Sequence, residues 1–461
     1  MFKKIEIWIL YLTILLSILF AIGFGALVRH EMYGGKGLKS IGLGWVSETA
    51  LFFAEIPSNA RSMIASVNAN INQIIDRFPS LDSFNGTPNS QESYLLLSRY
   101  DGDLQEGVVE LVDLRTFEIL HTWNPDIDAF NDLVKHVDEF KYLNRDNSNS
   151  RHLLTHPKLT RDGGLIYGQF IPLTKINSCS DLIFQNTTDE FHHSIETDNQ
   201  GNIWVPVHMY PQSINKILIG DAHYRKGGYH DDAIVKLSSD GELLYQKSLS
   251  EIFIENDLMY LLFAHGEDYE EDPLHLNDIQ PVNYDGEFWK KGDVFLSIRN
   301  QSMILLYRPS TNEILWKGTG PFLHQHDVNI LDNNRISIFN NRSINVAATD
   351  TNIVDGNNEI IIYDFAKDLF SSYLSDSLIE HRVKSTTQGR SNIMPNGDLF
   401  VEESDYGRTL YFNADGSLRW THVNRAENGN VYYVAWSRIL YAEEDIQTVN
   451  NFLNNKGACN E

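Results

Sequence analysis

Seven side chains stand out for chemistry. The histidines include two close pairs, His192-His193 in EFHHSIE and His324-x-His326 in FLHQHDVNIL, and a fifth, His275, in DPLHLNDI. Asn277 follows His275 by two residues, which puts both side chains on one face of a strand. Arg299 lies in FLSIRNQS, on the strand expected next. A guanidinium presents a planar fork of donors to sulfate or phosphate oxygens, and asparagine and protonated histidine add further donors. A neutral imidazole can also act as a nucleophile. If brought together, these residues suit an anionic, oxygen-rich group. Two plainer readings stand beside this one. A lone strand histidine is more often a satisfied polar residue than a catalyst, and H-x-H is also a metal-ligand spacing. A cupin-like metal site would want a glutamate nearby, and position 330 is Ile.

The elements that must position these residues are short strands. From about residue 92 onward, runs of Val, Ile, Leu, Phe, Tyr and Trp alternate with Asn/Asp/Gly turns, as in TDNQGNIWVPV (197–207), LSSDGELLYQ (237–246) and FNADGSLRWTH (412–422). Each such stretch reads as a hairpin. Two kinds alternate: an "NGxIxV"-like kind (192–207, 326–341, 392–404) and a "DGxLxW"-like kind (233–246, 303–318, 408–422). A pair of hairpins makes a four-stranded sheet, and repetition of such sheets is the sign of a β-propeller. Six sheets are expected, starting near 92, 153, 192, 275, 326 and 392, with the third stretched by 208–232; five or seven also fit. A β-sandwich shares the turn spacing but not the two-type alternation. A propeller lines its central channel with the first strand of every blade, so all five histidines would meet at one channel mouth.

The segment 275–341 resembles the bacterial arylsulfotransferase family, which moves sulfuryl groups between phenols without a nucleotide sulfate donor. Members carry an H-x-N segment, an S-x-R-x-Q strand, a "TGxIxW" hairpin and a Q-H-D motif before "L-x-N-G-x-I-x-x-F-D-N". Here these stand as His275-Leu276-Asn277, Ser297-Ile298-Arg299-Asn300-Gln301, Thr311 through Trp316, Gln325-His326-Asp327, and Leu331 through Asn341. Upstream, the family's His-His-Asp stands here as His192-His193-Ser194. The resemblance implies a six-bladed propeller facing the periplasm and a ping-pong reaction through a transiently sulfated histidine. The matching nucleophile is His326, and the matching donors to the sulfuryl oxygens are His275, Asn277 and Arg299. His192, His193 and His324 are expected to line the substrate. His275 would protonate the departing phenolate. Asp327 adjoins His326 but falls on the opposite strand face, so it is not assigned as an orienting base. The partners implied are an aryl sulfate donor and a phenolic acceptor, with no cofactor and no metal.

The N-terminus sets the compartment. Ile7 to Val28 is 22 residues without a charge, roughly 33 Å of helix and enough to cross a bilayer. Lys3 and Lys4 precede it, which keeps the N-terminus cytoplasmic by the positive-inside rule. The run is longer than the apolar part of a signal peptide and lacks a good cleavage site, so an uncleaved single-pass anchor in the bacterial inner membrane is expected. The domains expected are 1–30 for the anchor, 31–90 for a juxtamembrane region and linker, and 91–461 for the propeller. Within the second, Trp45 to Val67 reads as a helix interrupted at Pro57.

The chain has 461 residues, with 62 acidic against 37 basic ones and a net charge of −25. That excess argues against nucleic acid as a partner, since such binding runs on Lys and Arg at phosphates. It also means that a site for a sulfate ester must be a local positive exception. The two cysteines, Cys179 and Cys459, are read as unpaired. A homo-oligomer or an envelope partner is compatible with the sequence. Two other functions stand beside the transferase: a non-catalytic propeller that binds or scaffolds in the envelope, and a metal-dependent lyase or hydrolase using His324 and His326.

Overall fold

A computed structural model describes residues 6–32, 37–40, 42–68, 71–134, 140, 143–169, 171–220, 223, 228–264, 269–346 and 351–454. The chain divides into two compact units, Met1–Ile71 and Asn72–Glu461. The first holds two long helices. Ile7–Met32 is apolar and long enough to cross a membrane. Gly44–Asn68 runs on through Pro57, which therefore does not interrupt it as the sequence reading expected.

The second unit is a six-bladed β-propeller. Blade 1 comprises Tyr94–Asp101, Glu106–Asp113 and Glu118–Trp123, with Arg438–Leu440 from the far end of the chain as its inner strand. Blade 2 spans Lys158 to Asn186, blade 3 Glu190 to Ser248, blade 4 Leu276 to Thr319, blade 5 His326 to Tyr373 and blade 6 Arg390 to Val423. The NGxIxV-like hairpins form strands one and two of blades 3, 5 and 6, and the DGxLxW-like hairpins form strands three and four of blades 3, 4 and 6. Within 31–90, read from the sequence as a juxtamembrane region and linker, Ser83–Gly86 instead pairs with Leu418–Val423 as a fifth strand on blade 6. Tight turns explain the Asp-Gly and Asn-Gly text, since Gly397 and Gly416 have φ of 87° and 86°, which a side chain would strain.

Each blade buries both faces. In blade 4, Leu296 and Leu305 pack against Trp204 and Ile234 of blade 3, while Phe295 and Leu306 pack against Ile338 and Ile361 of blade 5. Period-two alternation is what sends adjacent residues to opposite neighbours. Near the channel the blades are stitched by short polar side chains. Asp278 Oδ2 accepts the Val328 amide at 2.7 Å, and Asp327 Oδ2 accepts the Ser391 amide at 2.8 Å. Ser194 does the same with its Oγ, accepting the Ile279 amide at 3.0 Å. The serine that replaces the third residue of His-His-Asp thus keeps a stitch between blades.

Candidate active site

Five residues just inside the ring share an unusual backbone. His156, His193, His275, His324 and Trp436 have φ of 54°, 55°, 58°, 50° and 66°, each within three residues of an inner strand. Left-handed backbone at non-glycine residues costs free energy and clusters where function over-determines it. Here it turns the side chains inward. His193 lies 4.9 Å from His275 and 6.4 Å from His326, ring centre to ring centre, and Trp436 lies 6.5 Å from His326. Of the five histidines expected to meet, the structure brings His193, His275 and His326 together, while His192 turns toward Asp232 and His208. His156 and Trp436 close the group from the other side, 4.3 Å apart, and sequence reasoning did not single them out.

His326 opens blade 5 and is fully buried. Its Nδ1 lies 2.8 Å from Asn341 Oδ1. Asn341 uses its Nδ2 to donate to the carbonyls of Ser385 and Gln388, at 3.1 and 2.8 Å. Both amide hydrogens are committed, so the oxygen faces His326, and His326 must donate from Nδ1. The lone pair then sits on Nε2, which has no hydrogen-bond partner among the described residues. Burial, and then the nearby charge of Arg299, push the His326 pKa down to about 3, so the ring is neutral near pH 7. A neutral imidazole with a fixed tautomer and an unengaged nitrogen is a poised nucleophile.

Arg299 follows the second strand of blade 4, and its amide donates to the His275 carbonyl at 3.0 Å. Its guanidinium donates to Asn300 Oδ1 at 2.8 Å, and no carboxylate pairs with it among the described residues. A half-buried arginine with no ion-paired carboxylate among the described residues, and with Asp272 acting on it from farther off, supplies local positive charge. His275 Nδ1 lies 2.5 Å from Asp272 Oδ2, which leaves Nε2 for the site. His324 points its Nδ1 at the Ser343 carbonyl, 2.8 Å away, and burial, followed by Arg299, lowers its pKa.

Asn277 sits differently from the expectation. His275 precedes the strand, and the register shifts between Leu276 and Asp278, so strand alternation does not put Asn277 beside His275. Asn277 is buried and donates to the Gln325 carbonyl at 2.8 Å, bracing the residue before His326. Gln325 is a second brace, donating to Ser297 Oγ and to the carbonyls of Ile298 and Met303. Asp327 accepts from Ser391 and Asn329 and pairs with Arg390 at 3.3 Å, away from His326. Cys179 corrects the reading of unpaired cysteines: it is disulfide-bonded, and the only other cysteine, Cys459, lies outside the described residues.

Residues 154–425 match the family described as Arylsulfotransferase (ASST), well over half of the chain. The chain belongs to the arylsulfotransferase family. No curated protein matches it. Among solved structures it is similar to a protein of unknown function from Bacteroides caccae, at 11% identity and TM-score 0.44, covering 75% of this chain and 98% of that one. It is also similar to TolB from Acinetobacter baumannii, at 10% identity and TM-score 0.41, covering 75% and 66%. A streptogramin B lyase follows at 9% identity and TM-score 0.35, covering 77% and 96%. These distant likenesses carry no functional argument. The arylsulfotransferase match spans every residue of the histidine site except Trp436.

Proposed function

We propose that this arylsulfotransferase-family chain moves a sulfuryl group from an aryl sulfate ester to a phenol by a ping-pong reaction through His326. Nε2 of His326 attacks sulfur, the sulfur–aryl oxygen bond breaks, and the phenolate leaves with a proton from Nε2 of protonated His275. In the second half, His275 takes the proton of the incoming phenol, whose oxygen attacks sulfur and releases His326. Arg299 holds the sulfuryl oxygens, with His193 and His324 beside it. Little covalent work beyond positioning and oxygen stabilisation is needed, as in phosphoryl transfer. Asn341 and Asn277 act on the nucleophile's setting. The observation that carries this reading is the Asn341-fixed lone pair on His326 Nε2. The apolar helix is assigned as an inner-membrane anchor, with the propeller in the periplasm.

The test is turnover by the full chain in detergent with an aryl sulfate and a phenol acceptor. His326→Ala should abolish it and the sulfated-enzyme species. Turnover that survives His326→Ala would sink the mechanism. The complete burial of His326 favours one other reading, a non-catalytic binding propeller. No turnover with any donor would select that reading.

A further inference from the structure

Behind His193, blade 3 carries a second polar cluster. Glu190, His208 and Asp232 lie directly opposite one another on three neighbouring strands, since Glu190 pairs with His208 and His208 with Asp232. His192 reaches the same place from the inner edge. Its Nε2 is 3.3 Å from Asp232 Oδ1, and His208 Nε2 is 3.4 Å from that same oxygen. The three candidate ligand atoms all lie within 4.8 Å of one another. Two atoms held at ordinary zinc–nitrogen and zinc–oxygen lengths on a tetrahedral ion are about 3.3–3.5 Å apart. The supporting groups are also in place. Asp232 Oδ2 accepts the Leu276 amide at 2.6 Å, which fixes the carboxylate, while its Oδ1 accepts no hydrogen bond among the described residues. Glu190 stands 3.9 Å from His208 Nδ1, a carboxylate on the outer side of that imidazole, beyond direct hydrogen-bond distance. His208 is half-buried, which leaves an entry path.

We propose that His192, His208 and Asp232 bind one divalent transition-metal ion of the Zn²⁺ type, and that this ion sets which tautomer His193 presents to the sulfuryl site. The link is the pair of Nδ1 atoms of His192 and His193, 2.6 Å apart, which must share a single hydrogen. With the ion on Nε2, His192 carries its hydrogen on Nδ1 and donates it to His193 Nδ1. His193 then holds its own hydrogen on Nε2, a donor for a sulfuryl oxygen. Without the ion, the hydrogen of His192 can sit on Nε2, 3.3 Å from Asp232 Oδ1; His192 Nδ1 then accepts from His193, and His193 Nε2 turns a lone pair toward the site. That lone pair repels an anionic oxygen. The binding claim stands alone; the tautomer claim rests on the sulfotransferase reading.

The test uses the full chain in detergent, stripped with a chelator. Zn²⁺ is titrated by calorimetry and Co²⁺ by its visible absorption. Saturable binding of a single ion is expected, with the intense bands of a low-symmetry nitrogen–oxygen site. Affinity should fall at least about tenfold in His208→Ala and in Asp232→Asn, which keeps the Leu276 contact, and should hold in His324→Ala. Circular dichroism of each variant separates lost binding from lost fold. No saturable binding, binding indifferent to both substitutions, or binding lost in His324→Ala instead would overturn the site. Where turnover is measurable, stripping should raise KM for the aryl sulfate about tenfold and Zn²⁺ should restore it. A KM indifferent to Zn²⁺ overturns the tautomer claim. A chain that binds Zn²⁺ as described but turns over no donor overturns the transferase reading and leaves the metal site standing.

Discussion

Asn341 holds His326 in one tautomer, with 2.8 Å between Oδ1 and Nδ1 and both amide hydrogens spent on backbone carbonyls. Removing that acceptor frees the His326 ring to swap tautomers. Asn341→Ala should lower kcat roughly 10²-fold with little change in KM. Asn341→Asp keeps an oxygen acceptor for Nδ1 and should recover part of the lost kcat; equal losses in the alanine and aspartate variants would remove Asn341 from the mechanism.

Arg299 is a cation of the site that forms no ion pair among the described residues. Arg299→Ala should cost roughly 10²–10³-fold in kcat/KM for the aryl sulfate, the scale of losing one donor to a developing charge. Arg299→Lys keeps the charge but not the fork, so it should recover only part of the loss. Equal activity of the lysine variant and wild type would show that geometry at this position does not matter.

His422 tests the acid stability of the fold away from the site. Burial, then Arg99, lower its pKa from 6.5 to about 3. Between those values the unfolded chain holds a proton that the folded chain refuses. Acidification through that window therefore destabilises the fold, by about 1.4 kcal/mol per pH unit for this residue. His422→Phe removes the term. Its stability relative to wild type should improve by roughly 2 kcal/mol between pH 7 and pH 5 in urea titrations. A pH-independent difference would contradict the assignment.

Arg438 and Glu196 form a buried pair at 2.5 Å, and Arg438 also donates to the carbonyls of Ile195 and Pro157. Breaking such a pair from one side costs about 3–5 kcal/mol, because the partner is stranded. Lys158 Nζ, 3.0 Å from Glu196 Oε2, still faces the carboxylate, so Arg438→Ala should lower stability by less than that full amount. Arg438→Met with Glu196→Leu should lose much less. Chemical denaturation of the three chains separates the outcomes, and equal losses would deny that the stranded charge is the cause.

The ring of blades was legible because each hairpin carries its own turn chemistry and a period-two pattern, and both are local. Arg438–Leu440 was not, because three residues after an irregular stretch hold no period, and their partner lies more than 300 residues away. The site shows the same division. His275, His326 and Arg299 could be picked out by type and place in a repeat. Asn277 was misjudged because a bulge broke the alternation on which its face was inferred. Asn341 lay inside a quoted motif, but its role depends on carbonyls at 385 and 388. His208 and Asp232 meet His192 through cross-strand register, which no spacing along the chain reports.

Closing the first blade with the last strand also has a bearing on biosynthesis. Until residues 438–440 are made, the inner edge of Tyr94–Asp101 has no partner at its start, and Glu196, close to the His192-His193 pair, has no arginine from the chain's end. The ring around the histidine site is thus closed only after the strands of all six blades have been made. A nascent or C-terminally clipped chain holds every histidine of the site and yet lacks the strand that seals the ring around them.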